Sequence, residues 1–153
     1  MNFEKNISIM EIERFLKKAD KSFPVPLSKK QNLTEYAEKL YRNATLCTRM
    51  LDGRVVSMVA GYTQNTENNM AYIAVVATLD EARGKGYAKT LMCEFLDICR
   101  MKKLNAVHLY TVAGNTAAVK MYEGLGFVEY KLPNEPRAND LHLIFYLKKE
   151  ETN

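Results

Sequence analysis

The chain has 153 residues, 47% of them apolar, with no Pro/Gly/Ser-rich linker and no internal repeat, so one domain over residues 1–153 with a single core is expected. Twenty-two Lys and Arg against 18 Asp and Glu leave a net charge of +4, which suits a small anionic ligand but not the clustered basic stripe of a nucleic-acid binder. No apolar run approaches the ~18 residues of a membrane span, and "MNFEKNISIMEIERF" mixes charges through its apolar positions instead of forming a signal-peptide core, so a cytoplasmic protein without membrane or nucleic-acid partners is expected.

In chain order, "SIMEIERFLKKA" sets Ile9, Ile12, Phe15, Leu16 and Ala19 at helical spacing behind a possible Ser8 cap. The prolines of "DKSFPVPLSKK" break that helix, and "NLTEYAEKLYRNA" begins another with Leu33, Tyr36, Ala37, Leu40 and Tyr41 on one face. After Ala44 the period changes. The Asp52-Gly53 pair inside "TLCTRMLDGRVVSMVAGYTQ" predicts a tight hairpin, and "MAYIAVVATL" reads as a third, central strand.

A helix follows over 87–102 with Leu91, Met92, Phe95, Ile98 and Cys99 as its stripe, then the strand "NAVHLYTV". The helix "NTAAVKMYEGLG" is expected to be capped by Asn115 and stopped at Gly126, and "FVEYKL" and "LHLIFYLKK" make a final strand pair. Cys47, Cys93 and Cys99 are odd in number, lack CxxC or CxxH spacing, and are expected to be buried free thiols. The order α α β β β α β α β β predicts an α/β sheet, antiparallel at its ends, with a parallel step where helix 87–102 crosses over.

Between the third strand and that helix lies "ARGKGYAKTL". A dinucleotide fingerprint fails there because its third glycine position is Lys89, and a P-loop fails because Ala88 and Arg83 replace the required glycines. Gly84 and Gly86 nevertheless let the backbone approach a ligand, and the first amides of the helix point unpaired N–H groups at it. A pyrophosphate fits such a turn; from these residues alone, a plain turn with solvated lysines fits as well.

A second segment joins it. "ATLDEARGKGYAKTLM" and "NTAAVKMYEGLGF", whose Asn115 stands 29 residues after Gly86, resemble the two signature segments of the GNAT superfamily of N-acyltransferases. The first matches R/Q-x-x-G-x-G/A as Arg83, Gly84, Lys85, Gly86, Tyr87 and Ala88. The second matches N-x-x-A-x-x-[FML]-Y-x-x-x-G-F as Asn115, Ala118, Met121, Tyr122, Gly126 and Phe127. The resemblance covers residues 44–148, the sheet and acyl-CoA core, with 1–43 as a helical acceptor-side segment. It departs from the family at Asp80, where proline is frequent, and at the first strand, for which only the short "MNFEK" is available.

What the resemblance implies is a single-domain, mostly antiparallel mixed sheet flanked by helices, using acetyl-CoA as acyl donor and no metal. Val76, Ala77 and Thr78 would pair with the pantetheine amides. Gly84 to Lys89, with Tyr87 and Ala88 between, would hold the pyrophosphate, helped by Arg83 and Lys85, and Asn115 would contact the pantetheine arm. Acyl transfer to an amine needs an oxyanion donor, for which the Thr78 N–H is the candidate, and a proton for the departing thiolate, for which Tyr122 is. No spacing singles out a general base among Glu67, Tyr110, Glu135, Asp140 and His142, while His108 and His142 read as structural or solvent-facing.

In this family the acceptor is selected by the loops here read as "DKSFPVPLSKK" and "PNEPRAND". A small primary amine (amino sugar, amino acid or polyamine) is expected, on a monomer or homodimer. The alternatives are a protein N-terminus or lysine as acceptor, and an acyl-CoA sensor without turnover.

Overall fold

In the computed structural model, which describes residues 7–64, 66–137 and 139–148, the predicted helices and strands form in the predicted order. They are α1 (Ile9–Ala19), α2 (Leu33–Asn43), β1 (Thr45–Leu51), β2 (Arg54–Tyr62), β3 (Met70–Thr78), α3 (Tyr87–Met101), β4 (Ala106–Thr111), α4 (Thr116–Leu125), β5 (Val128–Glu129) and β6 (Leu141–Tyr146). The extra strand suggested by "MNFEK" lies outside the described residues. No helix among them is long and apolar enough to cross a membrane.

Local chemistry explains the boundaries. Ser8 and Asn32 cap α1 and α2, their side chains accepting from the Glu11 and Glu35 amides. Asp52 (φ 51°) and Gly53 (φ 76°) both take left-handed backbone, which a two-residue turn between twisted strands requires. Gly126 (φ 113°) ends α4, as expected. The Asn115 side chain makes no capping hydrogen bond, contrary to expectation.

The strands form one six-stranded sheet in the order β1-β2-β3-β4-β6-β5, antiparallel throughout except between β3 and β4. That parallel step pairs only Met70, Ala71 and Tyr72 with Ala106, Val107 and His108. Beyond it the two strands have no registered partners in each other, so the middle of the sheet is split.

β3 also carries a bulge. Gly61 faces Ile73 and Ala60 faces Val75, leaving Ala74 as the extra residue. The bulge reverses the alternation of faces: Ala71 and Ile73 pack with α3, whereas Val75 and Ala77 pack with α1 and α2. Phe15, Leu16 and Leu40 complete the first core, and Met92, Phe95 and Phe127 the second; each such side chain contributes ~1.5–3 kcal/mol by leaving water.

Two anchors tie these layers. A Cβ on Gly61 would lie 2.6 Å from Phe95 Cζ and 2.7 Å from the Tyr72 carbonyl oxygen, so the hydrogen at this position lets α3 seat against β2. On the other face the Glu11 carboxylate accepts from Arg14 and from the Val55 amide (2.8 Å), while Arg14 donates to the Val55 carbonyl (3.0 Å), clamping α1 to β2. Cys47 and Cys99 are buried as expected and Cys93 is not: it sits on the exposed side of α3.

Candidate active site

The glycine turn follows β3 through a single turn of 3-10 helix, Asp80–Ala82. Arg83 is held there, its Nε donating to the Thr78 carbonyl (3.2 Å) and its guanidinium 3.0 Å from Asp80. Gly84 (φ 78°) and Gly86 (φ 77°) both adopt left-handed backbone, and a Cβ on either would meet no atom within 4 Å. Glycine is therefore required by conformation, and the space above it is open. Gly86 offers no side-chain cap, and the first helical bond of α3 comes from the Thr90 amide to the Gly86 carbonyl (3.1 Å). The amides of Tyr87, Ala88 and Lys89 thus lack intrahelical partners, with the exposed Lys85 and Lys89 beside them.

The split between β3 and β4 opens a cleft of ≈ 350 Å³ lined from both faces of the sheet. On the α4 side stand Val76, Asn115 and Tyr122. Tyr122 is only 5% exposed, its ring packs 5.8 Å from that of Phe127, and burial pushes its hydroxyl up to about 12. Of the expected strand residues, Val76 lines the cleft together with the unforeseen Ala74 and Val75; Ala77 and Thr78 do not. Ala77 points into the α1–α2 core, and the Thr78 hydroxyl shares a hydrogen bond with Ser57 (2.7 Å). Because the Leu79 amide bonds to β2 (2.8 Å to the Val56 carbonyl), strand alternation turns the Val76 and Thr78 amides the other way, toward the split.

The opposite mouth belongs to the segment between α1 and α2, from Phe23 to Gln31, with Tyr36 and Lys39 of α2, Tyr62 of β2, Tyr72 of β3, Tyr110 of β4, and Arg137 and Asp140 before β6. Four of the five base candidates gather at this end. Tyr110 donates to the Glu135 carboxylate, whose other oxygen is 2.8 Å from His142 Nδ1; His142 Nε2 is 2.8 Å from His108 Nδ1. With Glu135 accepting at Nδ1, His142 Nε2 accepts in turn and His108 Nδ1 carries the hydrogen. Asp140 lines the same mouth, bridged to Arg137 at 2.5 Å, whereas Glu67 lies in the turn before β3, outside the cleft.

The electrostatics follow from these contacts. Glu135 is held below its ordinary value, first by the Tyr110 hydrogen bond and then by His142, against desolvation. Tyr110 is raised, by desolvation and then by the Glu135 bond, and burial lowers His108, helped by His142. His142, only 4% exposed, stacks on Tyr110 with ring centres 4.1 Å apart. Of the two expectations for the histidines, structural or solvent-facing, His142 is buried and His108 half-buried, joined to one another in the cluster. Tyr36, Lys39, Tyr62 and Tyr72 were also missed, while Arg137 belongs to the loop "PNEPRAND" expected on the acceptor side. The available signal was the two-residue spacing of His108 and Tyr110, which puts both on one face of β4; the β6 register opposing Tyr110 to His142 had to come from the fold.

A model of the Acetyltransferase (GNAT) family matches residues 12–127. N-acetylaspartate synthetase from Danio rerio is 31% identical over 105 residues, covering 65% of this chain and 37% of that protein. Mycothiol acetyltransferase from Renibacterium salmoninarum is 35% identical over 74 residues, covering 44% of this chain and 22% of that protein. The chain thus matches less than half the length of either curated relative. Among solved structures, Ard1 from Thermoplasma volcanium superposes with a TM-score of 0.76 at 22% identity, over 94% of this chain and 95% of that one.

Proposed function

The chain belongs to the Acetyltransferase (GNAT) family, and from that premise we propose that it transfers the acetyl group of acetyl-CoA directly to a primary amine of a small molecule. The observation that carries this reading is the cleft at the split in the sheet, with a hydrogen-bonded acid–base cluster at one mouth, together with the uncapped, glycine-lined helix start that follows β3; the glycine turn itself does not line the cleft.

In this reading Gly84 to Lys89 cradle the pyrophosphate with backbone amides, Lys85 and Lys89 add charge, and Arg83 braces the turn from its contacts to Asp80 and Thr78. The Val76 and Thr78 amides face the split and serve the pantetheine arm and the developing oxyanion, with Asn115 across from them. The neutral amine attacks the thioester carbon and hydrogen-bonds to the Tyr110 oxygen, whose own hydrogen is committed to Glu135; the proton the nitrogen then sheds leaves to water at the acceptor mouth, and His142, backed by His108, steadies the Glu135 carboxylate. As the C–S bond breaks, the Tyr122 hydroxyl donates a hydrogen bond to the sulfur. Held near 12, it suits stabilising a thiolate better than surrendering its proton, and the free thiol forms with a proton from solvent.

The segment from Phe23 to Gln31 lines the acceptor mouth together with Tyr36, Tyr62 and Tyr72, and a compact amine is the acceptor favoured there over a protein N-terminus or lysine. The relative named N-acetylaspartate synthetase, whose name specifies a small acetylated amino acid, supports the same direction. The test is calorimetric titration with acetyl-CoA followed by thiol release with a panel of amines. Saturable acetyl-CoA binding with amine-dependent release is expected; binding without turnover on any amine would turn the reading into a sensor.

A further inference from the structure

The acceptor mouth holds more positive charge than its neighbours use. Lys30, after the 3-10 turn Leu27–Lys29, and Lys39 of α2 both line it, and neither has an acidic partner among the described residues. Lys39 Nζ sits 5.6 Å above the Tyr62 ring. The Tyr62 hydroxyl is buried and has no hydrogen-bond partner among the described residues.

Across the mouth the carboxylates are already engaged, Asp140 with Arg137 and Glu135 with Tyr110 and His142. Among the described residues, two exposed ammonium groups and one buried hydroxyl therefore lack a protein acceptor, and the carboxylates that line this mouth or bond to its residues already have partners. Two of the aromatic faces at this mouth already carry a cation of the chain, Tyr62 that of Lys39 and Tyr110 that of Arg137, which lies 4.8 Å from its ring centre.

We propose that the acceptor is an amine that also carries an anionic group, a carboxylate or a phosphate, held by Lys30, Lys39 and the Tyr62 hydroxyl with its amino group turned toward Tyr110. This rests on the acetyl-transfer reading and narrows it, setting aside polyamines and unmodified amino sugars. An anion here converts unpaired donors into charge-assisted hydrogen bonds, whereas a polycation meets two uncompensated ammonium groups. A preference of roughly tenfold or more in kcat/KM for the acidic member of a matched pair is expected from such contacts at a partly wet mouth.

The full chain, saturated with acetyl-CoA, is assayed by thiol release with aspartate against its diamide, glucosamine 6-phosphate against glucosamine, and spermidine. The responding pair tells carboxylate from phosphate. Lys39→Gln and Tyr62→Phe should erode the preference mainly through KM while acetyl-CoA affinity stays at the wild-type value. Neutral or cationic members used as well as the acidic ones would overturn the proposal. If no amine is turned over, titration of succinate and of inorganic phosphate into the CoA-loaded chain decides: saturable binding weakened by Lys39→Gln upholds it, and no binding overturns it. Failure to bind acetyl-CoA breaks the acetyl-transfer reading instead, and the same anion titrations on the free chain then judge the pocket by themselves.

Discussion

Replacing Tyr122 by phenylalanine removes one oxygen from a side chain that is 5% exposed and packed against Phe127, so the ring and the fold stay in place. The size of the catalytic loss follows from the acidity of that hydroxyl. Burial pushes it up to about 12, above the ordinary range of a phenol, so it serves the departing sulfur as a hydrogen-bond donor and not as a full acid. A hydrogen bond to the charged sulfur is instead worth ~1.5–3 kcal/mol, equivalent to about 10- to 150-fold in rate. Single-turnover rates with a confirmed amine should therefore fall by that factor for Tyr122→Phe, equally at every pH between 6 and 9, with acetyl-CoA affinity unchanged. A loss well beyond a thousandfold would mean that the hydroxyl truly gives up its proton, and a wild-type rate would refute any role for Tyr122 at the leaving group.

Gly86→Val puts a β-branched residue at φ 77°, costing ~1–2 kcal/mol of backbone strain while its side chain enters the open space above the turn; calorimetry should show acetyl-CoA affinity largely lost in a variant that urea titration finds still folded. Gly61→Ala drives a methyl group against Phe95 and the Tyr72 carbonyl and should cost about 1–3 kcal/mol by urea denaturation, an outcome that fails if the midpoint does not move. The Glu11 carboxyl is held below its ordinary 4.5, first by the Arg14 hydrogen bond and against desolvation, with Val55 helping. A depressed folded value means stability that is complete above 4.5 and lost as pH falls through the folded value. Glu11→Gln should thus cost about 1–2 kcal/mol at pH 7, and melting curves of the two proteins should converge as the pH drops below about 4.5.

Most of the architecture was legible because its signals are local. Helical spacing, the Asp52-Gly53 turn and Gly126 each act within a few residues, and the paired segments around Gly86 and Tyr122 carry the family resemblance. What stayed hidden depends on register and distance. The buried alternation through Ala71, Ile73, Val75 and Ala77 looks like a single face, but the extra residue Ala74 sends the last two to the opposite core. Tyr110, Glu135 and His142 were candidates without ranking because only the β4–β6 pairing brings residues 25 and 7 positions apart into one hydrogen-bonded cluster. Cys93 failed as a core residue for a simpler reason: the residues around it in sequence are apolar, yet on a helix it falls just outside the stripe of Leu91, Met92 and Phe95.

The short pairing between Met70–Tyr72 and Ala106–His108 also has a mechanical meaning. Among the described residues it is the one strand pairing that joins β1, β2 and β3 to β4, β6 and β5, and it spans fewer residue pairs than the antiparallel ladders on either side. The sheet therefore behaves as two stiff plates hinged along a line, with α3 as the strap between them. Amides that border the gap should exchange with solvent sooner than those in the ladders, and anything that bridges the gap by hydrogen bonds to both plates acts as a splint, raising the cooperativity with which the two halves unfold.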